Sequence, residues 1–129
     1  GANYVGVQLT DSWSRSIDYW QRTSSLSDHQ VMPNADGSIT YVISAKDPGI
    51  HNWLDNGGVR DGLILGRWEL FPQPLPPGNA DQLVREVRKV TLSELASALP
   101  EGMAKETPAG RKLQLKTRAA EFAKRVAFK

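Results

Sequence analysis

The sequence contains no cysteine. That excludes disulfides, thiolate metal sites and cysteine nucleophiles, and it leaves both the bacterial cytoplasm and the periplasm open. No apolar run approaches the roughly 18 to 20 residues that a membrane span needs, and no charged-then-apolar signal segment stands at the start. Gly1-Ala2 reads as an expression remnant, and the rest as an excised domain or a trimmed mature protein. Catalytic signatures are missing as well. There is no Gly-x-Ser-x-Gly elbow, no His-Glu-x-x-His and no Gly-x-x-x-x-Gly-Lys phosphate loop. Only two histidines occur, His29 and His51. No cofactor-binding motif is present and none is expected.

What is present fits one globular domain. The 129 residues are 40% hydrophobic and 23% charged, with a net charge of +2. The positive charge is gathered in the tail, where Lys105, Arg111, Lys112, Lys116, Arg118, Lys124, Arg125 and Lys129 outnumber Glu106 and Glu121. Such a run reads as the solvated face of a surface helix. Nucleic-acid binding is not expected, because no aromatic-studded basic groove or known motif accompanies the charge.

Alternation predicts a strand over Tyr4 to Leu9. Irregular or strand structure is expected from Asp11 to Gln21. Asp36-Gly37 supplies a hairpin-type turn, followed by a β-branched strand from Ser38 to Ser44. A further strand is expected over Gly62 to Phe71, with Leu63, Leu65, Arg67 and Glu69 on one face. The prolines of Pro72 to Gly78 end the β region in an extended crossing. Arg85 to Val90 reads as a last strand. Thr91-Leu92-Ser93-Glu94 forms a capping box for a helix over Leu92 to Leu99, and Thr107-Pro108 opens a second helix with an apolar stripe at Leu115, Ala119, Phe122 and Val126. Strands first and helices last predict a mainly β fold, an antiparallel β-sandwich over residues 3–90 carrying a C-terminal helical segment over 91–129.

Between two of these strands lies Asp47-Pro48-Gly49-Ile50-His51-Asn52-Trp53-Leu54-Asp55-Asn56-Gly57-Gly58. A loop this rich in specific chemistry is where binding residues usually sit. Asp47, His51 and Asp55 could supply a base with carboxylates, or metal ligands if they converged; the glycines and proline deny them a common helix face, and no metal is expected. The plainer reading has both aspartates capping turn amides and His51 packing on Trp53. Gly57-Gly58 beside Arg60 makes a weak anion nest. Trp53 is the tryptophan expected to be exposed, and Trp68 the one expected to anchor the core.

Trp13-Ser14, Asn34-x-Asp36-Gly37-Ser38-x-Thr40-Tyr41, Pro48-Gly49, Asn52-Trp53-Leu54 and Leu63-x-x-x-Arg67-Trp68 together resemble a bacterial family, the domain of unknown function twelve-fourteen, commonly the C-terminal half of two-domain proteins. The resemblance runs from Trp13 to Phe71 and departs at Asp55, where proline is commoner. It implies a jelly-roll-like β-sandwich and carries over no catalytic residue. The expected function is therefore an accessory domain of a larger bacterial protein. Its small or carbohydrate-like ligand would be held by Asp47, His51, Asn52, Trp53, Asp55 and Arg60. The alternatives are a hydrolase- or lyase-like enzyme using His51 with Asp47 or Asp55, and an oligomerisation module acting through the C-terminal helix. A second copy or a preceding domain of the same chain is the expected protein partner.

Overall fold

The computed structural model describes residues 2–74 and 82–127. Five strands, β1 (Tyr4–Asp11), β2 (Ser25–Ser27), β3 (Val42–Ser44), β4 (Trp53–Asp55) and β5 (Gly62–Glu69), precede two helices, α1 (Leu95–Ala98) and α2 (Pro108–Ala127). The strands form two small sheets. One is antiparallel in the order β2-β1-β5; the other pairs β3 and β4 in parallel.

This is a mixed α+β fold, and it overturns the expected jelly-roll sandwich: sheets of three and two strands close neither a sandwich nor a barrel. The reason lies in the connections, where short polar side chains take backbone amides that a ladder would otherwise use. Asp11 accepts from the amides of Trp13 and Arg15, Asp18 from Trp20 and Gln21, and Asp36 from Ser38. Asn34 Nδ2 donates to the hydroxyls of Ser38 and Thr40. The strand expected from Ser38 therefore starts only at Val42. Asp36-Gly37 does turn the chain, with Gly37 at φ 80°, but the turn joins no pair of hydrogen-bonded strands. Residues 84–90 form no strand either, and Val87 lies exposed. The proline crossing from Leu75 to Gly78 lies outside the described residues.

The alternation of β1 works as expected. Val7 and Leu9 face inward and meet Leu26 of β2, Val31 and the fully buried Leu54 of β4. The opposite face carries Tyr4, Gly6 and Gln8. Register places Glu69, Arg67 and Leu65 of β5 directly across from them, and Ser27 and Ser25 of β2 across from Gly6 and Gln8. One side of the three-stranded sheet is thus apolar and the other largely polar. β5 stops where Leu70 adopts φ 56°, a left-handed conformation unfavourable for its side chain.

The second helix begins as its cap predicts: Thr107 Oγ1 accepts from the amide of Gly110 at 3.0 Å, with Pro108 at the first helical position. The first helix is shorter than expected, since Leu92 to Glu94 form a turn before it, while Glu94 reaches back to the Thr91 amide at 2.9 Å. The apolar stripe of α2 stops early; Leu115, Ala119 and Phe122 are half-buried and Val126 is exposed.

Candidate functional site

The 47–58 segment is folded onto its own chain. Residues 104–106 run antiparallel to 49–51, with the His51 amide donating to Ala104 O at 2.9 Å and the Glu106 amide to Gly49 O at 2.8 Å. This contact delivers the first turn of α2 to the loop. There Arg111, only 5% exposed, donates to Asp47 at 2.9 and 3.3 Å and to the carbonyls of Ile50 and His51, and its guanidinium lies 5.1 Å over the Trp53 ring.

Among the described residues, each side chain expected to bind a ligand there has a structural partner, with one exception. Asp47 caps the Gly49 amide at 2.9 Å and pairs with Arg111. Asp55 caps the Gly57 amide at 2.8 Å and pairs with Arg22 at 2.9 Å. Asn52 is buried and bridges Met32 and Thr40. Trp53, expected to be exposed, is buried, with Nε1 donating to Ser44 O at 3.1 Å; Trp68, expected to anchor the core, is only half-buried. Arg60 is the exception. It stays exposed beside Val59, Leu63 and Ile64, in a shallow groove of about 190 Å³.

His51 is held by hydrogen bonds. Its Nδ1 is 3.0 Å from Glu106 Oε2 and its Nε2 is 3.3 Å from Gln30 O. Both ring nitrogens thus face groups of the fold. Burial pushes the Glu106 carboxyl up, yet hydrogen bonds from His51 and the Thr107 amide, with the charges of His51 and Arg111, bring it below its usual range. Asp47 and Asp55 are held by different arginines, and among the described residues no cluster of histidine, aspartate and glutamate could hold a metal ion.

The unfilled space is elsewhere. A cleft of about 570 Å³ runs between the Tyr4–Gly6–Gln8 face of β1 and the C-terminal half of α2. Its volume falls in the range of small-molecule pockets. Tyr4 lies across Gly6, where an added Cβ would stand 2.7 Å from the phenol oxygen, so the floor is shaped by a ring rather than by a branched side chain. Leu65 and Arg67 form the β5 wall, and Arg118, Phe122 and Arg125 form the helical wall. Phe122 is held by Tyr19 edge-on at 5.6 Å and by Trp20 stacked at 5.4 Å. Arg118 donates to Tyr19 O at 2.8 Å, Ser25 Oγ at 3.2 Å and Ser25 O, and its burial lowers its pKa.

Sequence reasoning missed Arg111, Arg118 and Glu106 because the charged residues of the tail were read as solvated. A signal was there. Arg111, Leu115, Arg118 and Phe122 share one face of α2, so two arginines interrupt the apolar stripe where a long amphipathic side chain can lie along the protein surface.

No family description matches this chain, and no curated protein matches it. A crystal structure of an uncharacterized protein from Burkholderia cenocepacia is similar, with 39% sequence identity and a TM-score of 0.53. The match covers 57% of this chain and 21% of that one, so the chain spans about a fifth of the length of the protein it resembles.

Proposed function

We propose that this chain is an accessory, small-molecule-binding module of a larger bacterial protein, and that its ligand lies in the cleft between β1 and α2. Membership of the twelve-fourteen family belongs to this reading and rests on the motif string from Trp13 to Phe71. One contrast carries it. The polar groups of the 47–58 segment are engaged by the fold, whereas the cleft holds an open volume of about 570 Å³ with Arg67 and Arg125 on its lining, whose side chains have no partner among the described residues. The enzyme reading has less support, because His51 is tied to Glu106 and Gln30 and its two aspartates to separate arginines.

A thermal-shift screen of the chain against sugars, carboxylates and phosphorylated metabolites tests this. At a hundredfold excess over its Kd, a native-state ligand adds about 2.7 kcal/mol, which for a domain of this size raises Tm by roughly 10 °C. Leu65→Trp fills the cleft and should erase the shift. A shift that survives Leu65→Trp and disappears in Arg60→Ala would return the ligand to the 47–58 side. A flat screen would overturn the binding reading.

A second reading, compatible with the first, concerns β5. It is an edge strand of eight residues on which Leu63, Ile64 and Leu65 are exposed, with no strand paired along its outer side among the described residues. Long apolar edges invite another strand. We assign this edge to contact with the rest of a larger polypeptide, in keeping with the fifth of the Burkholderia chain that the match occupies. Alone, the chain should then self-associate as its concentration rises, and Ile64→Lys should restore the monomer. A monomeric mass by light scattering at every concentration would remove this reading.

A further inference from the structure

We infer that the ligand of the β1–α2 cleft is a small organic oxyanion, a phosphate ester or polycarboxylate, gripped between Arg67 on the sheet and Arg118 and Arg125 on the helix. The inference rests on the reading that this cleft is the binding site, and it adds the chemistry of what enters.

Three guanidinium groups line one cleft, and among the described residues none of them is paired with a carboxylate. The one carboxylate on the lining, Glu121, is engaged by Lys124 at 2.6 Å. Arg118 is the most telling. It is half-buried, and the bonds it makes go to neutral oxygens: two carbonyls and a hydroxyl. These orient the side chain without compensating its charge. Every other buried or half-buried arginine here is compensated, since Arg111 faces Asp47.

The two walls approach the space from different elements. Arg67 stands opposite Gly6 in the β1–β5 register, on the same sheet face as Tyr4 and Gln8. Arg118 and Arg125 are seven residues apart, two turns along one side of α2 and about 10 Å from one another by helical rise. Like charges lining one cleft create a field that concentrates anions. Arginine forks also match the paired oxygens of phosphate and carboxylate better than any other side chain. Gln8 Nε2 already donates to Ser16 and Gln30 Oε1 accepts from Ser27, so the carboxamide oxygen of Gln8 and the nitrogen of Gln30 are the groups that would meet hydroxyls on the rest of such a molecule.

The test is calorimetric titration of the full chain at low ionic strength with inorganic phosphate, citrate, glucose 6-phosphate and glucose. Arg67→Ala and Arg125→Ala are the informative variants, because both residues are exposed and their side chains make no bond to the fold among the described residues. Lys112→Ala, on an exposed position of α2 away from the cleft, removes the same charge as a control. Citrate or glucose 6-phosphate should bind, each cleft variant should weaken binding about tenfold or more, and Lys112→Ala should leave it unchanged. Equal weakening by Lys112→Ala would reduce the effect to net charge and overturn the inference. Glucose binding as tightly as its phosphate would keep the cleft as a site and overturn its anion selectivity. Binding of inorganic phosphate that neither arginine variant weakens would overturn the inference too. If none of the four binds, the inference falls; a neutral compound found by thermal shift and blocked by Leu65→Trp would still uphold the cleft.

Discussion

Asn52→Ala is expected to lower stability by about 3 kcal/mol. The side chain is 1% exposed, and its carboxamide is fully used. Its Oδ1 accepts from the Met32 amide at 2.8 Å, and its Nδ2 donates to Met32 O at 2.8 Å and Thr40 O at 3.0 Å. The Asn52 carbonyl in turn accepts from the Val42 amide at 3.0 Å. One residue thereby ties the whole 32–40 excursion to the start of β4. Truncation strands three backbone groups, each costing roughly 1 to 3 kcal/mol when buried, and the nearby exposed Met32 side chain lets water recover part of that. Asn52→Asp is expected to be worse at neutral pH, because it puts an acceptor in place of the donor that faces two carbonyls, and buries a charge. It should recover partly below the usual carboxylate range, where the acid can donate one bond. Urea melts followed by circular dichroism read both variants; an unchanged midpoint for Asn52→Ala would mean that the 32–40 segment is held by something else.

Arg111→Ala is expected to cost about 3 kcal/mol, at the lower end for breaking a buried ion pair, since Asp47 keeps some contact with water. For a domain of this size that is on the order of a 10 °C fall in Tm. Its guanidinium joins Asp47, Ile50 O, His51 O and the Trp53 face, so its loss removes the seat of α2 on the 47–53 segment. Arg111→Lys should recover less than half, because an ammonium cannot reach a carboxylate and two carbonyls as a planar fork does. Hydrogen exchange gives the decisive reading: amides of α2 should lose protection in Arg111→Ala while those of β1 keep theirs. Equal loss across both would mean that Arg111 supports the core generally rather than the helix.

Much of this arrangement was legible locally. The alternation of Val5, Val7 and Leu9, the Thr107-Pro108 cap and the turn-capping roles of Asp47 and Asp55 all follow from neighbours within a few residues. Ladder formation did not follow. Ser38 to Tyr41 has strand-forming side chains, but the amides of Asn34 and Asn52 claim Ser38, Thr40 and the Thr40 carbonyl, and local propensity cannot report such competition. The partners of the 47–58 residues were hidden for a related reason. His51 meets Glu106 across 55 positions and Asp47 meets Arg111 across 64, so the loop's chemistry was visible while the groups that consume it were not. Trp53 was misread because it stands on a loop-like stretch, yet Arg111 lies over it and closes it from water.

One helix reaches both regions. Seated by Arg111 at the Asp47 end, α2 carries Arg118 and Phe122 into the wall of the cleft on the same rigid turns. Should the proposed ligand bind only while α2 is seated, linkage would require that loosening the Asp47–Arg111 pair weaken its affinity, although the two never touch.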